Sequence, residues 1–337
     1  MTVDQNEYVA TLPMLLTELE VVRAERVSPS FVRIELAGAA LAELGPDGPS
    51  YDQRIKLIFP NAAGRLPSFA DADESWWTTW MEIPEDERGS MRTYTIRDRV
   101  GTGAETRLVV DIVVHESDHA EDHADDHAGD HDHLDGAGNR WALQAAPGQR
   151  LVVMAPRAGH DFGGIEWSPG DATRLLLVGD ETAVPAIRGV LRDLPADATG
   201  AAYVEVPVDG DVQDLAAPAG VRVTWLPRNG RARGVDLHAA VIDHLTGTTP
   251  AETVVVTDDE IDPDLWETPV HSSSGEEVAA ATAVPTGDAP YAGLYAWIAG
   301  ESKVVTGLRR KLVNELGLDR RQVAFMGYWR EGVSMRS

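Results

Sequence analysis

RLLLVGDETAVPAIRGVLRDL, residues 174–194, decides the architecture of this chain. Its first part, RLLLVGD (174–180), is a short apolar run without alternation, the pattern of a strand buried on both faces. Its second part, ETAVPAIRGVLRDL (181–194), changes to helical spacing. A buried strand that runs straight into a helix is the opening unit of a parallel sheet with helices on its faces. The same rhythm continues toward the C-terminus. AAYVEVPV (201–208), VRVTWLP (221–227) and YAWIAG (295–300) read as strands, and VDLHAAVIDHL (235–245) as a helix. SKVVTGLRRKLVNELG (302–317) is an amphipathic helix closed by Gly317. Residues 262–290, with SSSGEE and PTGDAP, carry little periodicity and read as a long loop.

Toward the N-terminus the pattern is different. ELEVVRAERVSPSFVRIEL (18–36) is two alternating apolar runs joined by the turn-prone Ser28-Pro29-Ser30. IKLIF (55–59), MRTYTI (91–96), TRLVVDIVVH (106–115) and QRLVVMAP (149–156) follow, separated by clusters of Gly, Pro and Asp. Short strands with turn signals between them predict an antiparallel β-barrel. The organisation is therefore an N-terminal extension (1–16), a barrel domain (17–158) and an α/β domain with a parallel sheet (172–337). The boundary falls in the Gly- and Pro-containing stretch Gly159–Asp171. One domain would hold a flavin and the other a nicotinamide nucleotide.

Composition narrows the chemistry. The chain has 337 residues, enough for two domains. It has no cysteine, which excludes disulfides, thiolate zinc sites and iron–sulfur clusters and fits a cytoplasmic location. The net charge of −26 argues against a nucleic-acid partner and is otherwise a solubility feature. No apolar run approaches the roughly 20 residues of a membrane helix, and the N-terminus lacks the layout of an export signal.

Arg92-Thr93-Tyr94-Thr95 matches the R-x-Y-[ST] flavin motif of the ferredoxin-reductase-like superfamily. VDIVVH (110–115) with GAGNRWA (136–142), GDETAVPAI (179–187) and the tail YAWIAGES…LRRKL…MGYWREG (295–332) resemble the siderophore-interacting protein family, in the family's order. The resemblance spans nearly the whole chain from residue 17. It implies a ferredoxin–NADP reductase-like fold and a ferric-siderophore reductase. Electrons would pass from NADH or NADPH through FAD to an Fe(III)-siderophore, releasing Fe(II), with no general acid or base required. A ferredoxin is a further possible donor.

By resemblance, Arg92 holds flavin phosphate, Tyr94 packs on the isoalloxazine and Thr95 bonds near N5. Asp111, Val113 and His115 on VDIVVH also contact FAD. Gly136, Ala137, Gly138 and Asn139, before Trp141, match a G-P-A-S-x-W-A turn that approaches the pyrophosphate. Asn139 replaces the family's Ser and is read as able to donate and to cap the helix. Gly179, Asp180, Glu181, Thr182 and Ala183 would line the nicotinamide nucleotide site, with Gly300 and Glu301 facing the flavin and Tyr328 and Trp329 closing it. Lys56, Arg157 and Lys303 are the candidates for binding an anionic ferric chelate. Asp209 beyond AAYVEVPV disfavours a 2′-phosphate and points to NADH, although Arg228, Arg231 and Arg233 could offset it.

Each motif also has a plain structural reading: a surface Arg on a barrel strand, a Gly-rich turn, a helix cap at Thr182, packed aromatics, solvated charges. Between His115 and Gly136 lies an insertion, residues 116–135, absent from the family pattern. Its His119, His123, His127 and His131 recur every four residues among acidic ones. A metal-collecting arm is one reading; a solvated insertion lengthened by repeats is the preferred one. Two rival functions remain: a general NAD(P)H- or ferredoxin-linked flavin reductase, and a non-enzymatic iron-binding protein built on that arm.

Overall fold

The computed structural model describes residues 12–69, 72–73, 75–115, 136–248, 256, 266–268, 271–272, 284–287 and 291–333. The chain divides into two units, the first running to Gly164 and the second from Ile165. Among the described residues no helix is long and apolar enough to cross a membrane.

The first unit is a seven-stranded antiparallel sheet. Its strands are β1 (Met14–Ser28), β2 (Phe31–Ala37), β3 (Arg54–Phe59), β4 (Ser90–Thr95), β5 (Asp98–Val100), β6 (Arg107–Val113) and β7 (Arg150–Pro156). They lie in the order β4-β3-β7-β1-β2-β6-β5. β1 begins at Met14 and pairs there with Pro156, so the strand reaches into the stretch expected as an extension. The sheet curls because its two end strands are consecutive in the chain. Only Ile96 and Arg97 separate them. The Ile96 N–H donates to Gln53 beside β3, and the Arg97 N–H donates to Val109 on β6. Closing a sheet in this way removes its edges and encloses one face.

That enclosed face is filled at alternate strand positions: Leu19 and Val21, Ile34 and Leu36, Ile55 and Leu57, Val110 and Ile112. Each buried aliphatic side chain stabilises by about 1.5–3 kcal/mol. A one-residue slip would turn the whole set outward, so the alternation fixes the register. The outer face at β4, β3, β7 and β1 carries a second cluster, Ile58, Met91, Val152 and Leu16. A short helix, α1 (Trp76–Glu82), covers it with Trp80. A second short helix, α2 (Ala137–Leu143), packs Ala142 and Trp141 against the inner core.

The second unit is a seven-stranded sheet built on β8 (Arg174–Gly179), β9 (Thr199–Val206), β10 (Gly220–Pro227), β11 (Trp266–Thr268), β12 (His271–Ser272), β13 (Leu294–Glu301) and β14 (Val323–Trp329). The order is β10-β9-β8-β13-β14-β11-β12. The first five strands are parallel, and β11 and β12 add an antiparallel hairpin beside β14. The helices are α3 (Val184–Asp193), α4 (Val235–Thr246) and α5 (Ser302–Arg309). All eight residues of β13 are buried, as a strand covered on both faces requires.

Two expectations are corrected here. The stretch 262–290 is not wholly a loop, because Trp266–Thr268 and His271–Ser272 pair as strands. Side-chain contacts with distant residues hold them rather than local periodicity. Trp266 stacks on Tyr328 at 5.8 Å, and Glu267 is bonded by Arg309. The helix expected over 302–317 is α-helical only to Arg309 and continues with the wider π geometry over Arg310–Glu315.

Candidate functional site

In the first unit the R-x-Y-T strand is β4, at one end of the sheet order. Tyr94 is paired with Ile55 and Arg92 with Leu57, so both side chains share the inner face. Thr93 and Thr95 point the other way, with Lys56 and Arg54. The Tyr94 ring meets Phe59 edge-on at 6.0 Å, and Phe59 lies 5.2 Å from Trp141. This packing brings the Tyr94 hydroxyl against α2. A Cβ on Gly138 would stand 2.1 Å from that oxygen, so only glycine fits. Burial drives the phenol far above its ordinary pKa, leaving it a neutral hydroxyl.

Arg92 is partly buried, and one guanidinium nitrogen donates to the Met91 carbonyl at 2.7 Å. Burial first, and then the nearby Arg140 guanidinium, hold its pKa below the ordinary value, against the pull of Tyr94. Two guanidiniums repelling each other at a partly desolvated place favour an anion there. Next to them, no atom of the described residues beyond its chain neighbours lies within 4 Å of where a Cβ on Gly136 would stand. Arg140 was missed in the sequence because it occupies the variable position of the GAGNRWA turn.

Two residues expected at this site are committed elsewhere. Asn139 does not cap α2, whose N-cap is Gly136. Its side chain bonds both backbone groups of His115, accepting from N–H at 3.0 Å and donating to C=O at 3.1 Å. It therefore joins the end of β6 to α2, on either side of the 116–135 insertion. Asp111 is buried and accepts from Arg33 at 2.7 and 3.0 Å and from Arg97 at 2.5 Å. Its carboxylate joins the two arginines at the closing point of the barrel. Val113 is half-buried and paired with Phe31, and Ala137 opens α2.

Of the basic candidates, Lys56 lies half-buried on the outer face and donates to the Thr93 hydroxyl at 2.8 Å. Burial, then Arg54, lower its pKa. Arg157 is buried beyond the end of β7, 3.6 Å from the Glu43 carboxylate. It is an interior cation, not part of an open basic patch. His119, His123, His127 and His131 lie outside the described residues. Among the described residues no group of three or more His, Asp or Glu is placed to hold a metal ion.

In the second unit, the order of the parallel strands reverses between β8 and β13, the position where open α/β sheets bind ligands beyond their carboxyl ends. The motif residues converge there. Gly179 ends β8, where a Cβ would stand 2.4 Å from that of Ala183. Asp180 follows, fully buried. Its Oδ1 accepts from the Thr182 N–H and hydroxyl at 2.9 and 2.6 Å. Its Oδ2 accepts from the Glu301 N–H and the Trp329 indole N–H, both at 2.8 Å. Gly300, at φ +151°, allows this approach, since its Cβ would lie 2.8 Å from the Asp180 carboxyl carbon. Burial, and then the Glu181 charge, push Asp180 up to about 6.

Glu181 sits beneath the surface rather than on it. Arg228 donates to both its oxygens at 2.9 and 3.1 Å, and Arg233 adds a bond at 2.8 Å. Burial alone would raise its pKa, but the two guanidiniums outweigh that and lower it. Arg228 also bonds Glu205, which takes the Gly234 N–H on both oxygens. Arg233 lies 4.5 Å over the Trp329 ring, which is thus held by a cation on its face and a carboxylate at its nitrogen. Glu301 caps α5 by accepting from the Lys303 and Val304 N–H groups, so Lys303 stands in the first turn of that helix. Tyr328 faces Trp266 and Trp297 instead, away from the indole of its neighbour's network. Glu205 was missed in the sequence, although a carboxylate inside the apolar run AAYVEVPV is a signal that a buried cation must meet it.

Comparison with known proteins agrees in both units. Residues 172–332 match the family model described as "Siderophore-interacting protein", and residues 20–160 match "Siderophore-interacting FAD-binding domain". The chain is 31% identical over 222 residues to the NADPH-dependent ferric-chelate reductase of Escherichia coli, covering 64% of this chain and 72% of that protein. It is 27% identical over 330 residues to the ferric vibriobactin reductase ViuB of Vibrio cholerae, covering 97% of this chain and 93% of the other. A siderophore utilization protein from T. fusca superposes with a TM-score of 0.62 at 29% identity, covering 97% of both chains.

Proposed function

The chain belongs to the siderophore-interacting protein family, and from that premise we propose that it is a ferric-siderophore reductase, passing electrons from a nicotinamide nucleotide through FAD to siderophore-bound Fe(III). The observation that carries the reading is the fit of Gly138 against the Tyr94 hydroxyl beside Arg92 and Arg140. Among the described residues it leaves space at Gly136 beside the two guanidiniums, suited to a flavin diphosphate. FAD held there would supply the conversion of a two-electron hydride donor's chemistry to the single-electron steps that iron needs.

The protein's part is binding and orientation. Arg92 and Arg140 hold the anionic diphosphate, and Tyr94 presents a neutral phenol whose orientation Phe59 and Gly138 fix. Thr95, at the end of β4, has the hydroxyl suited to a polar edge of the ring. In the second unit, Asp180 and Arg233 hold the Trp329 ring still, so that the tail offers a preset surface to the nicotinamide donor. Siderophores hold Fe(III) through hard oxygens, and Fe(II) binds such ligands less strongly, so reduction frees the metal. Lys56 supplies positive charge for the chelate on the first unit.

NADH is the donor we favour over NADPH. Arg228 and Arg233 are committed to Glu181 and Glu205, and Arg231 pairs with Asp236 at 2.7 Å. A 2′-phosphate would thus meet cations already neutralised, amid buried carboxylates. The decisive experiment reconstitutes the protein with FAD and mixes it anaerobically with NADH, NADPH or reduced ferredoxin. Flavin bleaching, then recovery on adding a ferric siderophore with Fe(II) trapped colorimetrically, supports the reading. A protein that takes up no FAD, or whose flavin no donor bleaches, excludes it. Faster bleaching by NADPH than by NADH would reverse the donor assignment.

A further inference from the structure

Just past β6 the chain has a sheet neighbour on one side only. β2 pairs with β6 along Arg107–Val113, and the Val114 N–H still donates to the Ser30 carbonyl at 2.9 Å. On the other side, among the described residues, β5 reaches only Arg107–Val109. Backbone groups alternate between the two sides, so those of His115 point away from β2 and need partners from elsewhere. Both are met by one side chain. The Asn139 amide accepts from the His115 N–H at 3.0 Å and donates to its C=O at 3.1 Å, the pair of bonds that a neighbouring strand would make.

Helix α2 needs that attachment. Seven residues make too short a helix to persist alone, so tertiary contacts must hold it. Trp141, 5.2 Å from Phe59, and Ala142, in the barrel core, anchor its second half. In the first turn, Gly136 and Gly138 have no side chain to bury and Ala137 has only a methyl. Yet this turn carries the flavin-site geometry: Gly138 against the Tyr94 hydroxyl and, one residue past Asn139, Arg140 beside Arg92. The connection to β6 restrains it weakly, because twenty residues, 116–135, separate His115 from Gly136. The chance that two ends meet falls as the three-halves power of the length between them, so a link of about five residues would hold them together about eightfold better.

We propose that Asn139 is a positioning residue for FAD: it pins the first turn of α2 to the end of β6, restores the restraint that the 116–135 insertion removes, and so sets how tightly the flavin diphosphate is held. The inference rests on the flavin reading and adds a residue that acts through the backbone it bonds. Only molecules with the turn in place bind flavin tightly, so the apparent dissociation constant rises as their fraction falls. Removing two hydrogen bonds lowers that fraction by about tenfold at full length. A short link keeps it near one without them.

The test titrates FAD into apoprotein by flavin fluorescence in four chains: wild type, Asn139→Ala, a chain with 116–135 replaced by a short Gly-Ser link, and that chain carrying Asn139→Ala. At full length Asn139→Ala should raise the Kd for FAD about tenfold. In the shortened chain the same substitution should raise it less than about twofold, and shortening alone should leave it within about twofold of wild type. Asn139→Asp, equal in size, keeps the acceptor for the His115 N–H but has no donor for its C=O. At full length it should lose at least as much affinity as the alanine variant. A direct contact with flavin, or a general role in folding, would give equal losses at both lengths. Equal losses, no loss at full length, or wild-type affinity in Asn139→Asp would overturn the proposal. Amide exchange of residues 137–143 in the apoprotein supplies a readout without flavin: Asn139→Ala should speed it at full length and not in the shortened chain. If wild type takes up no FAD, the flavin reading is what fails, and this exchange still decides whether Asn139 pins α2, equal rates in all four chains meaning that it does not.

Discussion

Asp180 and Glu181 are adjacent, buried carboxylates whose surroundings drive their titration in opposite directions. Asp180, raised to about 6, takes up its proton more readily folded than unfolded. Its contribution to stability is therefore complete below the unfolded carboxylate range and is lost as pH rises through about 6. Across that window the loss is about 3 kcal/mol at most, from a shift of roughly two units. Asp180→Asn cannot ionise, so the stability of wild type relative to this variant should fall between pH 4 and pH 7, as measured by urea unfolding. A constant difference would mean that the four donors around Asp180 keep it ionised throughout.

Gly138 tests the flavin recess at the same scale. Alanine would favour α2 by about 1 kcal/mol on helix propensity alone, but its methyl would lie 2.1 Å from the Tyr94 oxygen, and the steric cost wins. Gly138→Ala should lower both FAD content and thermal stability, and adding Tyr94→Phe should recover part of each. Additive losses in the double variant would place the defect elsewhere. Motif resemblance brought Arg92, Tyr94 and Gly138 to one place because each needs only its own strand or turn position. It did not reveal the protein partners of Asn139 and Asp111, because a side chain's partner depends on what the fold brings beside it. Here those partners were the His115 backbone and two arginines, Arg33 from β2 and Arg97 from the link between β4 and β5.

Among elements, the strand–helix alternation of the second unit was legible because burial on both faces leaves long apolar runs, YAWIAG and RLLLVG above all. The β11–β12 hairpin was not legible: two strands of three and two residues carry no periodicity, and the Trp266–Tyr328 stack that holds them joins positions far apart in sequence. Helix α1 escaped for a similar reason, being two turns long in a tryptophan-rich run. In the barrel, the alternating strands and the barrel itself were readable, but the Arg33–Asp111–Arg97 cluster at its closing point was not. Asp111→Asn leaves two partly buried guanidiniums without their shared charge. It should cost about 2–4 kcal/mol, toward the lower end because Arg33 remains partly exposed. Urea unfolding would register this as a lower midpoint with an unchanged slope. FAD content should fall with it, because β4 carries Arg92 and Tyr94 straight into the junction that Arg97 secures.

For the whole molecule, charge sets the remaining constraint. The net charge of −26 generates a field that repels any anionic chelate at a distance, while Lys56 and Arg54 act only within a few ångströms. These two effects respond differently to salt. The Debye length is about 30 Å at 0.01 M and about 10 Å at 0.1 M, so moderate salt suppresses the long-range repulsion before it weakens contacts at a partly buried lysine. The kcat/KM for an anionic ferric chelate should therefore rise between these ionic strengths, by about twofold to fivefold, and that for a neutral chelate should stay flat. In Lys56→Gln the rise should persist from a lower starting value, because the substitution removes the local attraction and leaves the global field almost unchanged. A fall with salt in wild type would mean that nearby cations already dominate at long range. The chelate's approach would then be steered by the basic face rather than hindered by the acidic remainder.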